Sequence, residues 1–197
     1  MQPPTNAYFF GYGSLVNLAT HGFADAHPAR ARGWRRAWRH TNLRPVAFLT
    51  VIRDPACIID GMIAHVPGND WLALDQRERA YSRQEAAADI AHPLPAPPTS
   101  IALYAIPDGA HGQPDSAHPV LLSYLDVVIQ GYLRHFGETG ARRFFESTSG
   151  WDAPIMDDRA APLYPRHQTL STPERSFVDT ELARLGATII PPHPIEA

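Results

Sequence analysis

Ala7-Tyr8-Phe9-Phe10-Gly11-Tyr12-Gly13-Ser14-Leu15 is the stretch that decides the fold. A short apolar and aromatic run, Ala7 to Phe10, favours a buried strand over a helix. Gly11 and Gly13 permit backbone angles and close approaches that a side chain blocks. Ser14 is placed to N-cap a helix start over Leu15-Val16-Asn17-Leu18-Ala19-Thr20. A strand, a glycine turn and a helix start leave backbone N–H groups without partners, which suits an anion or a developing oxyanion. Taken alone, two glycines and a serine read first as a plain tight turn. The stretch lacks the Lys-Ser/Thr of a nucleotide-binding loop, and its serine is not centred in G-x-S-x-G.

The 197 residues suit one domain with a sizeable core, and 44% hydrophobic with 19% charged residues is the composition of a soluble globular protein. A formal net charge of −3 gives no electrostatic reason to expect a nucleic-acid partner. All 17 basic side chains are arginine. The single cysteine, Cys57, excludes an intrachain disulfide and lies in an apolar run, where it reads as inert core. Residues 1–6 carry no basic region or long apolar run, and no segment is long enough to span a membrane as a helix. Neither a signal peptide nor a membrane partner is expected, and a cytoplasmic location is.

From Ala29 to Pro67 the pattern is strand-like. Ala31 to His40 partly alternates apolar residues with arginine, Val46 to Ile52 is a second strand ended by Asp54-Pro55, and Cys57 to Val66 is a third. Gly61 marks a bulge or a close backbone contact. The arginines between Arg30 and Arg53 read as a solvated strand face, with a carboxylate-binding role for any one of them as the alternative.

Asn69 to Arg79 reads as a short helix capped by Asn69 or Asp70. At about 100° per residue, Trp71, Leu74, Asp75 and Glu78 share one face, while Gln76, Arg77 and Arg79 point elsewhere. A carboxylate on an apolar stripe is costly without partners or a task, and partial burial raises its pKa toward that of a useful base. Pairing of Asp75 or Glu78 with a nearby arginine is the competing reading.

Ser82 to Ile90 fits either a helix or a return strand. His92 to Pro98 is a stiff extended loop, and Ile101 to Ile106 is a last strand. After a loop over Pro107 to Ser116 the character becomes helical. One helix is expected over Pro119 to Phe136 and ended by Gly137, a second over Gly140 to Glu146, and a last one over Glu174 to Leu185 stopped by Gly186. Gly150 to Tyr164 reads as irregular.

Three stretches together resemble the γ-glutamylcyclotransferase-like superfamily, which includes AIG2-like proteins and the bacterial ChaC-type enzymes. The first is Tyr8-Phe9-Phe10-Gly11-Tyr12-Gly13-Ser14-Leu15, similar to the superfamily's strand and Y-G-S-L/N loop. The second is Asp60-Gly61-Met62-Ile63-Ala64-His65-Val66, similar to its V-x-G-x-x-Y/F-x-V strand. The third is Leu74-Asp75-Gln76-Arg77-Glu78-Arg79-Ala80-Tyr81, similar to its L-D-x-x-E…Y segment, in the D-x-R-E form of the ChaC branch. The likeness covers residues 7–106, and residues 107–197 depart from the ChaC pattern.

The resemblance implies an α+β fold: a small mixed β-barrel core over 7–106 with flanking helices, and a mostly helical extension over 107–197 packed on it as one domain. It implies a cavity between the Y-G-S-L loop and the glutamate. There Tyr12, Gly13, Ser14 and Leu15 would hold a γ-glutamyl group, Glu78 would be the general base, and Tyr81 would offer a pocket hydroxyl. Tyr81 also reads as a half-buried strand aromatic. The implied reaction converts a γ-glutamyl amide or peptide to 5-oxoproline and a free amine with no metal or organic cofactor. Asp75 is expected to be structural.

The 10 histidines form no H-E-x-x-H pair, so a metal centre is not expected. Two other readings keep the same pocket: a binding or regulatory module without cyclisation, and an acyl or aminoacyl transferase. The leaving amine, the oligomeric state and the role of residues 107–197 are left open by the sequence.

Overall fold

A computed structural model describes residues 6–194 apart from 108, 110, 114 and 116. The leader reading on residues 1–5, and those positions of the expected loop over 107–116, lie outside the described residues. In chain order the elements are β1 (Ala7–Gly11), β2 (His27–Thr41), β3 (Arg44–Val66), α1 (Leu72–Arg77), β4 (Ser82–Glu85), β5 (Ile90–Ala91), β6 (Ser100–Ala105), β7 (Val120–Leu121), α2 (Leu122–Glu146), β8 (Thr148–Ser149), β9 (Ile155–Met156), α3 (Thr172–Leu185) and β10 (Ile189–Ile190).

The main sheet runs β4-β6-β1-β3-β2-β5, with β8 added in parallel to β2, and curls into half a barrel. β1 is antiparallel to β3 and parallel to β6, so every one of its residues is buried, as its unbroken apolar run requires. Strand β3 passes through Asp54-Pro55 rather than ending there. β2 and β3 pair from His27↔Ile63 to Thr41↔Arg44, with a register shift between Arg32↔Ile58 and Trp34↔Arg53. Residues 54–57 fall in that bulge, where Pro55 forfeits no ladder hydrogen bond. Ser82 to Glu85 resolves the ambiguous segment as a return strand against β6. Gly61 is a close contact: a Cβ there would lie 2.5 Å from the Gly11 carbonyl oxygen and 2.5 Å from Phe10 Cζ.

Helix α2 covers the sheet with Leu125, Val128, Ile129 and Tyr132 fully buried, in one cluster with Trp34, Trp38, Ile59 and Ile63. Gly137 (φ 64°, ψ −175°) breaks α2, matching the two helices expected either side of it. Helix α3 starts on a Ser171–Glu174 capping box and stops at Gly186 in the left-handed conformation. Residues 107–194 also hold strands that the sequence pattern hides. β10, β9 and β7 form a small parallel sheet of two-residue strands, too short to show a period.

The arginines of β2 are not all on a solvated face. Arg36 is 1% exposed. Its guanidinium donates to the carbonyls of Tyr12 (3.3 Å) and Asp60 (2.5 Å), to the Tyr132 hydroxyl (2.7 Å) and to Ser147 Oγ (2.8 Å). It also lies over the rings of Tyr132 and Phe144, at 5.0 and 4.8 Å. Arg36→Ala removes these contacts and opens a cavity, at an expected cost of about 3 kcal/mol. Urea unfolding measures it, and a loss under about 1 kcal/mol would show that Arg36 does not anchor the core.

Candidate active site

After β1 the chain turns through Tyr12 and Gly13 into two short 3-10 turns, Ser14–Val16 and Leu18–Thr20. Ser14 is not an N-cap. The cap is Asn17, whose Oδ1 accepts from the Ala19 N–H at 3.2 Å. Asn17 Nδ2 donates to the Val127 carbonyl and to Gln130 Oε1, which ties this turn to α2. The N–H groups of Gly13, Ser14 and Leu15 donate to no backbone carbonyl among the described residues.

Helix α1 seats Leu74 in the apolar cluster that also holds Phe9, Leu15 and Tyr104. Its first turn is supported by Asp70, whose Oδ1 accepts from the Leu72 N–H at 3.0 Å. The two carboxylates on its stripe end in different surroundings. Asp75, 43% exposed, accepts from the Tyr104 hydroxyl at 2.5 Å and from Arg83 at 2.8 Å, and so joins α1 to β6 and β4. Glu78 is the C-cap of α1, and its side chain is only 16% exposed.

Glu78 borders two adjoining hollows of about 310 and 30 Å³. The smaller is lined by the whole bend, Gly11 to Leu15, together with Glu78, Tyr81 and Tyr124. It has room for about two waters, the size of a carboxylate head. The larger continues outward past Ser14, Glu78 and Tyr81 to Tyr164 and Arg166. The expected site residues Tyr12, Gly13, Ser14, Leu15, Glu78 and Tyr81 therefore come together around the inner hollow.

Two hydroxyls among them are engaged elsewhere. Tyr12 donates to the Tyr104 carbonyl at 2.6 Å, and Tyr81 donates to the Leu49 carbonyl at 3.0 Å. Tyr12 thus offers its backbone to the hollow, and Tyr81 offers its ring. Burial, with the charge of Glu78 adding to it, pushes the phenols of Tyr12, Tyr81 and Tyr124 well above their usual value, so all three stay protonated.

The carboxyl of Glu78 is also pushed up by burial, against the opposing cations of Arg77 and Arg166. Arg77 corrects the helical projection. Its side chain is 9% exposed and donates through Nε to Glu78 Oε1 at 3.1 Å and through its terminal nitrogens to the Thr20 carbonyl and hydroxyl. Gln76 and Arg79, also placed off the stripe, line the larger hollow.

Sequence reasoning missed Tyr124. A Cβ on Gly13 would sit 2.7 Å from its hydroxyl oxygen, so Gly13 is small because this phenol covers the bend. A hydrogen bond from the Ser14 backbone lowers the Tyr124 pKa against the larger effect of burial. Tyr124 belongs to α2, for which the resemblance supplied no counterpart.

Two histidines far apart in the chain come together in the fold. His40, Asp115 and His118 bring ligand atoms within 4.8 Å of one another. The His40 and His118 rings stack with centroids 4.2 Å apart and planes at 20°, and His118 Nδ1 lies 2.6 Å from Asp115 Oδ1.

A comparison with protein-family models gives no match, and a comparison with curated protein sequences gives none. Solved structures do share the architecture. A human protein described as uncharacterized superposes with a TM-score of 0.55 at 12% identity, over 89% of this chain and 99% of that one. A gamma-glutamyl cyclotransferase gives 0.53 at 12% identity, with the same two coverages. YkqA from Bacillus subtilis gives 0.50 at 16% identity, over 74% of this chain and 56% of its own. The chain has the γ-glutamylcyclotransferase-like fold. In this chain a glutamate borders the same hollow as a glycine bend and a tyrosine from α2.

Replacing Arg77 by Leu removes the cation that holds Glu78 down, so the Glu78 pKa is expected to rise. A carboxyl-carbon NMR titration reads it directly, and a fall would contradict the pairing.

Proposed function

We propose that the protein is a γ-glutamylcyclotransferase-type enzyme that converts a γ-glutamyl amide or peptide to 5-oxoproline and a free amine. The observation that carries this reading is that Glu78, mostly buried and with a raised pKa, shares the inner hollow with the Gly11–Leu15 bend. The fold common to this chain and a gamma-glutamyl cyclotransferase supports it at the level of architecture alone.

The chemistry suits the parts. The α-amino nitrogen of the γ-glutamyl group attacks its own γ-carbonyl carbon and closes a five-membered lactam. The reaction is intramolecular, so holding the substrate curled supplies much of the acceleration. Glu78 takes the first proton that the α-ammonium must lose, then returns it to the nitrogen of the departing amine as the C–N bond breaks; the second proton, shed by the attacking nitrogen on ring closure, passes to solvent, where the free amine takes up a proton. The N–H groups of Gly13 and Leu15 stabilise negative charge on the carbonyl oxygen, and the protonated Tyr124 phenol, which takes the Ser14 N–H, lies over the same bend. The sequence of steps requires neither a metal nor an organic cofactor.

Incubation with a panel of γ-glutamyl dipeptides and amides, with chromatographic detection of 5-oxoproline, tests the reading. Glu78→Gln is expected to lower kcat by at least about 100-fold with little change in KM, the usual scale for losing a general base. Normal turnover would exclude Glu78. Binding without product favours a binding module, and a product other than the lactam favours a transferase.

The pH profile has a required sign. Glu78 must be ionised to accept a proton, so kcat/KM falls as pH drops through its pKa. Burial raises that pKa, so the acid limb is expected above the ordinary value of 4.5. An acid limb below 4.5 would contradict the assignment.

A further inference from the structure

A second group of chemically active side chains lies apart from the hollows beside Glu78. His40, Asp115 and His118 each hold a ligand atom within 4.8 Å of the other two, and no other such group of three is found among the described residues. None of the three lines either hollow that Glu78 borders. His40 is the penultimate residue of β2, whereas Asp115 and His118 belong to the connection from β6 to β7.

That connection is already laid against the end of β2. The His40 N–H donates to the Gly112 carbonyl at 3.2 Å, and the Gly112 N–H donates to the His40 carbonyl at 3.0 Å. Arg39 Nη1 donates to Gln113 Oε1 at 3.0 Å. Asp115 Oδ1 accepts from the Ala117 N–H at 2.9 Å, beside its 2.6 Å contact with His118 Nδ1. A backbone held this way lowers the ordering cost of binding a ligand between the two segments.

The donor set and its surroundings fit an ion. Among the described residues His40 Nδ1 is buried with no hydrogen-bond partner, a costly state for a ring nitrogen unless something binds it. Two imidazoles and one carboxylate are ligands that suit zinc, and not the all-oxygen shells of calcium or magnesium. The side chains of His118 and Asp115 are 22% and 51% exposed, which leaves an entry path and room for a water as fourth ligand. The set must still close. Zinc bonds of about 2.0–2.2 Å put two ligand atoms no more than about 4 Å apart, so the side chains draw inward by about an ångström and the stacked rings turn. Asp115 and His118, on the open side, are placed to make that movement.

We propose that His40, Asp115 and His118 form a zinc site that clamps the connection between β6 and β7 to the end of β2. Its role is structural, and it does not depend on the cyclotransferase reading. The ion joins two segments far apart in the chain and stabilises the folded state as its occupancy rises. The clamp stands just ahead of Pro119, whose carbonyl accepts from the Ala47 N–H at 3.0 Å, and of β7 and α2, the helix that carries Tyr124 over the bend.

The test is calorimetric titration of the untagged, metal-free full chain with zinc chloride, together with thermal unfolding at rising zinc. The wild type is expected to bind one equivalent and to gain in Tm as zinc increases. His118→Ala and Asp115→Asn are each expected to weaken binding by at least about tenfold, since loss of even an outer partner of a metal ligand costs that much. Asp115→Asn keeps an oxygen for the Ala117 N–H, so it removes the charged ligand and spares the turn. Circular dichroism checks that both variants fold. In nitrogen-15 NMR of the wild type, one equivalent of zinc is expected to move the imidazole signals of His40 and His118 and to leave the other histidines in place. No binding by the wild type overturns the proposal. Binding that both folded variants retain, or that moves other histidines instead, shows adventitious zinc only and overturns it equally.

Discussion

The Arg36 guanidinium holds the molecule's working parts in register. A charge with 1% exposure costs several kcal/mol to bury unless its donors are met, and here they are met by groups from separate elements. Arg36 reaches the Tyr12 carbonyl at the bend, the Asp60 carbonyl on β3, the Tyr132 hydroxyl on α2 and Ser147 beyond it. The Tyr132 hydroxyl lies 2.9 and 2.7 Å from the same two carbonyls and shares its one proton between them. The bend is thereby fixed from behind, while the N–H groups of Gly13 to Leu15 keep clear of backbone acceptors. Donors held in place before charge develops need no reorganisation when it does.

Across the hollow, the fold separates two carboxylates that sit one helical turn apart. Asp75 is solvated, paired with Arg83 and bonded to Tyr104, and it serves as a tie between elements. Glu78 lies where α1 ends, under Tyr81 and Tyr124 and beside Arg77, and burial dominates its pKa. Like residues acquire different chemistry from solvent access and partners. The raised pKa makes the carboxylate a better proton acceptor, and the Arg77 cation opposes the effect of burial.

The features legible in the sequence were those set by neighbours in the chain. The buried β1 run, the glycine bend, the Leu74–Glu78 stripe, the break at Gly137 and the stop at Gly186 each follow from local spacing or backbone freedom. Features set by distant contacts were not legible. An arginine alternating with apolar residues reads the same whether its face meets solvent or, as at Arg36, meets Tyr132 and Phe144. Arg77 sat off the projected stripe, but a long side chain at the end of a six-residue helix reaches round to the cavity. Asp54-Pro55 looked like a strand end because a proline's lost donor matters only if the ladder needs it, and the bulge removes that need. Tyr124 and Arg166 reach the site through tertiary packing, and no local pattern marks them.

The central claim is that the bend and Glu78 act on one substrate from opposite sides. The most direct measurement is a crystal structure of the Glu78→Gln variant with an uncleaved γ-glutamyl dipeptide. The account predicts the γ-carbonyl oxygen against the N–H groups of Gly13 and Leu15, with the α-amino nitrogen within hydrogen-bond reach of the residue 78 side chain. A dipeptide bound away from this hollow, or bound in it with its α-amino group turned away from residue 78, would contradict the account.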